Sequence, residues 1–260
     1  MSFFRVGVMV LILGLSRGFA QKPEEIEGDR PDYTESALTV PAGSLQMEGG
    51  YTCLHKEKDR ERSLGELLLR FGIYRGWEMR LGLNSYVWQE EEGDRTSGKD
   101  DFSAGCKIQL FRASENASAL KPDVALIGML YVPSGSEGYQ REASEGEVKL
   151  SLAWDLRSGL ALGINLNYAY PREEGVRYHS RSASLVLTLD IIDTAALFAE
   201  YFGLYPENRE GPSAHYSQGG MTVRILKNTQ LDVRGGLRWK PGGDEYFGGA
   251  GFVARWDGFY

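Results

Sequence analysis

Residues 145–170 read EGEVKLSLAWDLRSGLALGINLNYAY, and the alternation within this stretch decides the fold class. Apolar residues occupy every second position over 148–154 and again over 160–168, with charged or small residues between them. Arg157-Ser158 separates the two series. A period of two places successive side chains on opposite faces of a β-strand. The stretch therefore predicts two strands joined by a tight turn, each with one apolar and one polar face.

The same period recurs along most of the chain. The 33 glycines among 260 residues also argue against a helical protein. Each apolar series is near the 9–11 residues that a tilted strand needs to cross hydrocarbon. We predict twelve strands, near residues 44–54, 64–75, 77–89, 101–112, 122–132, 145–156, 159–170, 181–191, 195–205, 215–226, 229–239 and 246–256.

The connections between these strands alternate in character. Polar segments follow the odd-numbered strands, at residues 55–62, 90–101, 133–145, 171–180, 206–213 and 240–245. The other connections are tight turns, except for the longer segment 112–121. Long loops at one rim and short turns at the other are typical of an outer-membrane barrel.

A soluble β-sandwich shares the alternation, so the placement of aromatic residues has to separate the two folds. Tryptophan and tyrosine gather near strand ends, as in the interfacial girdles of membrane barrels. These residues are Trp77, Trp88, Tyr168, Tyr170, Tyr201, Tyr216, Trp239, Tyr246 and Trp256. We therefore predict an all-β protein, a transmembrane antiparallel up-and-down β-barrel of about 12 strands in the cell outer membrane.

The N-terminus predicts secretion. Arg5 precedes an apolar run over residues 6–15, and Gly18-Phe19-Ala20 places small residues before Gln21. This is the pattern of a cleavable signal peptide. The predicted organisation is a signal peptide over residues 1–20, a leader over 21–43 and a barrel over 44–260. The leader is expected inside the lumen or under the periplasmic rim, with a solvated leader as the alternative.

Charge and side-chain inventory exclude several classes of function. The formal charge of −7 provides no basic field for a nucleic-acid partner. The chain has two cysteines, Cys53 and Cys106, on the apolar parity of separate strands, and we expect free thiols. Ser213 and His215 share a strand face, which is a pairing expected by chance. We predict no catalytic site, no metal and no cofactor.

Charged residues on the polar parity are candidates to line the lumen. Because both signs occur in similar number, they are compatible with a closed, ion-paired core or with a narrow water-filled channel. The candidates are Glu48, Arg70, Glu78, Arg80, Lys107, Glu147, Lys149, Asp190, Glu200, Arg224, Asp232, Arg234 and Arg238. We expect Glu48, Arg70, Glu78 and Arg80 to converge on one interior wall.

The leader carries a sequence motif, Asp29, Arg30, Pro31, Asp32, Tyr33, Thr34, Glu35 and Ser36. With the segment 39–51 that follows, and with Val132-Pro133-Ser134-Gly135 later in the chain, it resembles the outer-membrane transporter family of the MetA-pathway of phenol degradation. The resemblance implies a barrel that moves small hydrophobic or aromatic compounds. A structural barrel with a closed polar lumen is the alternative.

The expected partners follow from the predicted location. They are outer-membrane lipid and lipopolysaccharide, the barrel-assembly machinery through the C-terminal strand, which ends in aromatic residues, and a small-molecule substrate that the sequence does not identify.

Overall fold

The structure is a computed structural model that describes residues 26–113, 121–239 and 245–259. The predicted signal peptide lies outside these residues. The described chain is all-β, and no helix in it has the length and hydropathy to cross a bilayer. Its strands are β1 (Leu45–Lys56), β2 (Asp59–Tyr74), β3 (Trp77–Leu83), β4 (Tyr86–Glu91), β5 (Asp94–Lys99), β6 (Phe102–Phe111), β7 (Asp123–Val132), β8 (Glu145–Arg157), β9 (Leu160–Ala169), β10 (Arg172–Glu173), β11 (Val176–Arg177), β12 (Ser180–Ile192), β13 (Ala195–Tyr205), β14 (Ala214–Leu226), β15 (Thr229–Arg238) and β16 (Glu245–Trp256).

The sheet closes on itself as an antiparallel barrel. Strand β1 pairs with β16 from Leu45↔Trp256 to Lys56↔Glu245, and on its other edge with β2. The remaining neighbours follow chain order around the wall. Strands β3 and β4 follow each other along one line of the wall, and so do β5 and β6. With the separate hairpin β10–β11 left out, the wall therefore has twelve strands. The prediction of an up-and-down barrel of about 12 strands is confirmed.

Two of the predicted loops are wrong. The segment 55–62 is a continuation of β1 and β2 around a tight turn, and 90–101 is largely the hairpin β4–β5. Glu57 (φ 56°) and Glu92 (φ 49°) adopt the left-handed conformation that tight hairpin turns require. Both segments are polar on both faces because they extend beyond hydrocarbon, and this composition resembles that of a loop. Segment 171–180 contains the small hairpin β10–β11, while 114–120 and 240–244 lie outside the described residues.

The two ends of the barrel differ. Tight turns at 75–76, 158–159, 193–194 and 227–228 lie at the end that also carries Leu45 and Trp256. The hairpin β4–β5 and the loops 133–144 and 206–213 lie at the opposite end. In an outer-membrane barrel the short-turn end is periplasmic.

The outer wall is apolar and bounded by aromatic residues. Leucines and valines of one parity, such as Leu185, Leu187 and Val233, remain 41–50% exposed. Trp256 marks the periplasmic end of this band and Tyr246 the opposite end of the same strand, and both are exposed. A closed barrel with an apolar outer band of this kind contacts lipid on its outer surface, and the protein is located in the outer membrane.

The two cysteines, Cys53 and Cys106, are free thiols, as the sequence predicts.

Candidate functional site

A segment without strands occupies the inside of the barrel. We call residues 26–43 the lumen segment. Ala37 and Val40 are 0% and 3% exposed, although neither belongs to the wall. Wall residue Gly72 makes room for it, since an added Cβ would collide with the backbone of Val40 and Pro41. The protein's own chain therefore occupies part of the barrel interior.

Asp29 anchors the lumen segment to one wall. Its carboxylate accepts hydrogen bonds from Arg80 at 2.6 Å and from Lys107 at 3.0 Å, and lies 3.4 Å from Arg70. Its backbone N–H donates to Glu48 at 2.9 Å. All of these side chains are at most 4% exposed. A buried charge is stable only when it is paired, so these contacts specify one position for the segment.

The same wall residues also bind each other. Arg70 donates to Glu48 and to Glu78, each at 2.8 Å, and Arg80 donates to Glu78 at 3.0 Å. The structure thus brings Glu48, Arg70, Glu78, Arg80 and Lys107 into one network around Asp29.

The opposite part of the wall holds the middle of the lumen segment. Glu200 accepts the backbone N–H groups of Tyr33 at 2.8 Å and Thr34 at 2.7 Å. Lys149 donates to Glu35 at 2.6 Å and lies 3.5 Å from Glu147. Glu35 also accepts from Arg80 at 2.7 Å, so it joins the two halves of the interior.

Arg30 connects the segment to a third part of the wall. It pairs with Glu66 and lies 3.6 Å from Asp232. Arg234 donates to the carbonyl of Pro31 at 2.9 Å. Glu200, Asp232 and Arg234 lie on β13 and β15, so the lumen segment contacts strands on several sides of the barrel.

Three of the sequence candidates lie away from the lumen segment's ion pairs. Arg238 bonds Glu245 at 3.0 Å and Glu207, near the extracellular loops. Asp190 and Arg224 line a cavity of about 360 Å³ between the lumen segment and the periplasmic ends of β8 to β14. This cavity borders the lumen segment on its periplasmic side.

Three carboxyl groups of the lumen segment have shifted pKa values. Burial alone would raise the pKa of Asp29, but the cations Arg70, Lys107 and Arg80 hold it well below its usual range. Burial is likewise outweighed at Glu35, where Arg80 and Lys149 lower the pKa to about 2. Asp32 behaves oppositely: burial and the charge of Glu200 raise its pKa. Asp29 and Glu35 are therefore charged anchors at neutral pH, whereas Asp32 is not stabilised as an anion.

An aromatic stack lies on the inner wall, and it includes Tyr216, which was expected in the interfacial girdle. The rings of Tyr33 and Phe202 are 4.5 Å apart and nearly parallel, and Phe202 and Tyr216 are 4.8 Å apart. Leu204 and Phe247 pack against them. Phe202 shares the parity of Glu200, so strand periodicity alone could have placed it inside.

Ser213 and His215 form no hydrogen bond with each other in the part of the chain that the structure describes. The His215 ring instead hydrogen-bonds the Tyr201 hydroxyl at 2.7 Å on the outer wall. Within the described ranges, no group of three or more His, Cys, Asp or Glu side chains is placed to hold a metal ion.

Comparison with known proteins identifies the family. The family model described as "Putative MetA-pathway of phenol degradation" matches residues 28–256. The chain belongs to this family. The resemblance carried by the 29–36 motif is thereby confirmed, and the match covers the lumen segment and the barrel together. No curated protein sequence matches the chain.

Solved structures share the fold at low sequence identity. The COG4313 outer membrane channel from Pseudomonas putida F1 superposes with a TM-score of 0.65 at 15% identity, covering 88% of this chain and 100% of the channel. The NanC porin gives 0.52 at 13% identity, covering 81% and 98%. The translocator domain of the autotransporter NalP from Neisseria meningitidis gives 0.52 at 12% identity, covering 82% and 88%. The barrel of this protein therefore has the same fold as those of a channel and a porin.

Proposed function

We propose that the protein is an outer-membrane channel for small hydrophobic or aromatic molecules, and that its lumen segment is a movable plug. The family description and the solved channel that shares the fold support transport. The observation that carries the substrate class is the inward-facing aromatic stack.

The stack presents flat rings inside the lumen. Tyr33, Phe202 and Tyr216 lie with interplanar angles of 10–11°. Aromatic rings favour offset stacking with other aromatic rings. An aromatic solute that replaces Tyr33 against Phe202 when the lumen segment moves therefore keeps a contact that an aliphatic solute of equal size does not make. At one end of the stack Tyr216 donates to Glu207 of the extracellular loop 206–213, and at the other end Tyr33 belongs to the lumen segment.

The way in which the lumen segment is held supports its mobility. It is fixed mainly by side-chain ion pairs and by backbone donors to wall carboxylates. In the described part of the chain, its backbone bonds the wall backbone at Gly43, which donates to Gly72 at 2.8 Å. A segment outside the β-ladder can leave the lumen without breaking the barrel, because the wall keeps its own hydrogen bonds.

A structural barrel with a permanently closed lumen is the second candidate. The density of buried ion pairs around Arg70 and Asp29 favours it, because removing a partner from such a network is costly. The two candidates differ in whether the native protein conducts ions.

The test is ionic current through the purified protein in a planar lipid bilayer. We expect current in potassium chloride and a decrease on addition of phenol, with a smaller decrease for cyclohexanol, which has the same size without an aromatic ring. Phe202→Ala should weaken the phenol effect roughly two- to tenfold, the equivalent of about 0.5–1.5 kcal/mol of stacking.

The matched control is Phe111→Ala, which removes a phenylalanine that is 48% exposed on the outer wall. It should leave the phenol effect unchanged. No current under any condition would support the structural barrel. Current that phenol and cyclohexanol reduce equally would exclude aromatic selectivity at the stack.

A further inference from the structure

The sheet at the extracellular rim separates its charges between two faces. The last residues of β1, the first of β2, and the hairpin β4–β5 form this part of the wall, and β5 pairs only with β4 among the described strands. Cross-strand register places Arg62 between Cys53 and Trp88, and Tyr86 between Leu64 and Lys99. We define the outer rim face as the side chains on this parity: Arg60, Arg62, Tyr86, Trp88, Glu90, Arg95 and Lys99.

The outer rim face is basic. It carries four cations and one carboxylate, and Glu90 lies 3.3 Å from Arg95. Arg60, Arg62 and Lys99 are exposed and form no ion pair within the residues that the structure describes. The side chains on the inner face of the same strands are mainly acidic. They comprise one lysine and four carboxylates, namely Lys56, Asp59, Glu61, Glu91 and Asp94. Such segregation by face indicates different surroundings on the two sides.

Aromatic residues place the outer rim face at the membrane surface. Tyr86 and Trp88 are 38% and 39% exposed, and their rings are 4.7 Å apart. Exposed tyrosine and tryptophan on a barrel wall mark the level of the lipid headgroups. Arg62 beside Trp88 and Lys99 beside Tyr86 therefore lie where headgroup phosphates lie.

We propose that the outer rim face binds the phosphate groups of lipopolysaccharide in the outer leaflet. Arginine offers a planar fork of donors that matches phosphate oxygens, and lysine adds a point charge. The barrel end with the long hairpin faces the cell exterior, where this phosphorylated lipid forms the leaflet. The charge of the face is complementary to that lipid, whereas the acidic inner parity would repel it.

The test measures binding of lipid A to the purified barrel in neutral detergent by native mass spectrometry. Two lipids are compared, lipid A with both phosphates and the same acylated disaccharide without them. The variant combines Arg60→Gln, Arg62→Gln and Lys99→Gln. We expect it to bind the phosphorylated lipid at least about tenfold more weakly than the wild type, since each basic residue near an anionic surface contributes to the attraction.

The matched control removes three exposed basic residues from the periplasmic turns, by Arg75→Gln, Arg157→Gln and Lys227→Gln. It should bind phosphorylated lipid A like the wild type. The lipid without phosphates should bind all three proteins equally weakly. Unchanged binding in the rim variant overturns the proposal, and so does an equal loss for both lipids, which would indicate acyl-chain contact alone.

Two further measurements keep the result interpretable. If the triple variant fails to fold, Arg62→Gln alone and wild-type binding at raised salt replace it, since salt screens exposed charge interactions. A wild-type dimer that the rim variant loses, seen in the same spectra, would assign the face to a second copy and overturn the proposal. The ionic current of the rim variant should equal that of the wild type, so this result is independent of channel function.

Discussion

Arg80→Ala is expected to destabilise the barrel strongly. The Arg80 guanidinium is 3% exposed and joins three carboxylates, Asp29 at 2.6 Å, Glu35 at 2.7 Å and Glu78 at 3.0 Å. Removing one partner from a buried ion pair leaves an uncompensated charge and costs about 3–5 kcal/mol. Each carboxylate keeps another cation, such as Lys107 at Asp29, so we expect a loss near the lower end of that range.

A matched control separates burial from the loss of an arginine. Arg95 also pairs with a carboxylate, Glu90, at 3.3 Å, but its side chain is 79% exposed. Arg95→Ala should cost less than about 1 kcal/mol, because exposed ion pairs contribute little. Arg80→Lys keeps the charge without the planar fork that reaches two carboxylates at once, and it should fall between the two.

The assay is guanidinium chloride unfolding in lipid vesicles, followed by tryptophan fluorescence and by the gel mobility of the folded barrel. Ionic current is measured on the same proteins. Because Arg80 ties the wall to the lumen segment, its loss should also increase the current. If Arg80→Ala matches Arg95→Ala in stability and the wild type in current, the network around Asp29 does not hold the lumen segment, and the reasoning is refuted.

The hydroxyl oxygens of Thr34 and Ser184 are 2.7 Å apart, so Thr34→Cys with Ser184→Cys in a cysteine-free background should form a disulfide that lowers the current until reductant is added. Equal currents before and after reduction would show that the lumen segment does not move. Asp101 lies outside the spanning strands and accepts backbone N–H groups from Arg141 and Ser134, which outweigh the effect of burial and lower its pKa. Because its pKa is lowered, the Asp101 carboxylate stabilises the folded loop fully above the ordinary carboxyl pKa of about 3.9, and this stabilisation is lost as the pH falls through the lower pKa of the folded protein. Loop 133–144 should therefore be protected from hydrogen exchange at pH 7 and lose this protection in strong acid. Asp101→Asn should release the loop already at pH 7, and protection that is independent of both changes would contradict this role.

Strand periodicity determined most of the barrel, because in a single-layer wall the parity of a residue fixes its side. The alternation around Glu78 and Arg80 required no knowledge of distant residues, and both lie inside as their parity indicates. The same rule failed at 55–62 and 90–101, because beyond the hydrocarbon both faces of a strand carry polar side chains and the apolar period disappears. Composition there could not separate a hairpin from a loop.

The position of the lumen segment was decided only by the tertiary structure. Its sequence predicts an extended, charged stretch between Pro31 and Pro41, which is equally compatible with solvent and with the lumen. What fixes it is the closure of the barrel, which brings Lys107 of β6 and Glu200 of β13 to opposite sides of one narrow space. In the sequence, Asp29 is 78 residues from Lys107, and Thr34 is 166 residues from Glu200. Local pattern carries no information about contacts at such separation, because they depend on how many strands close the ring and in what register.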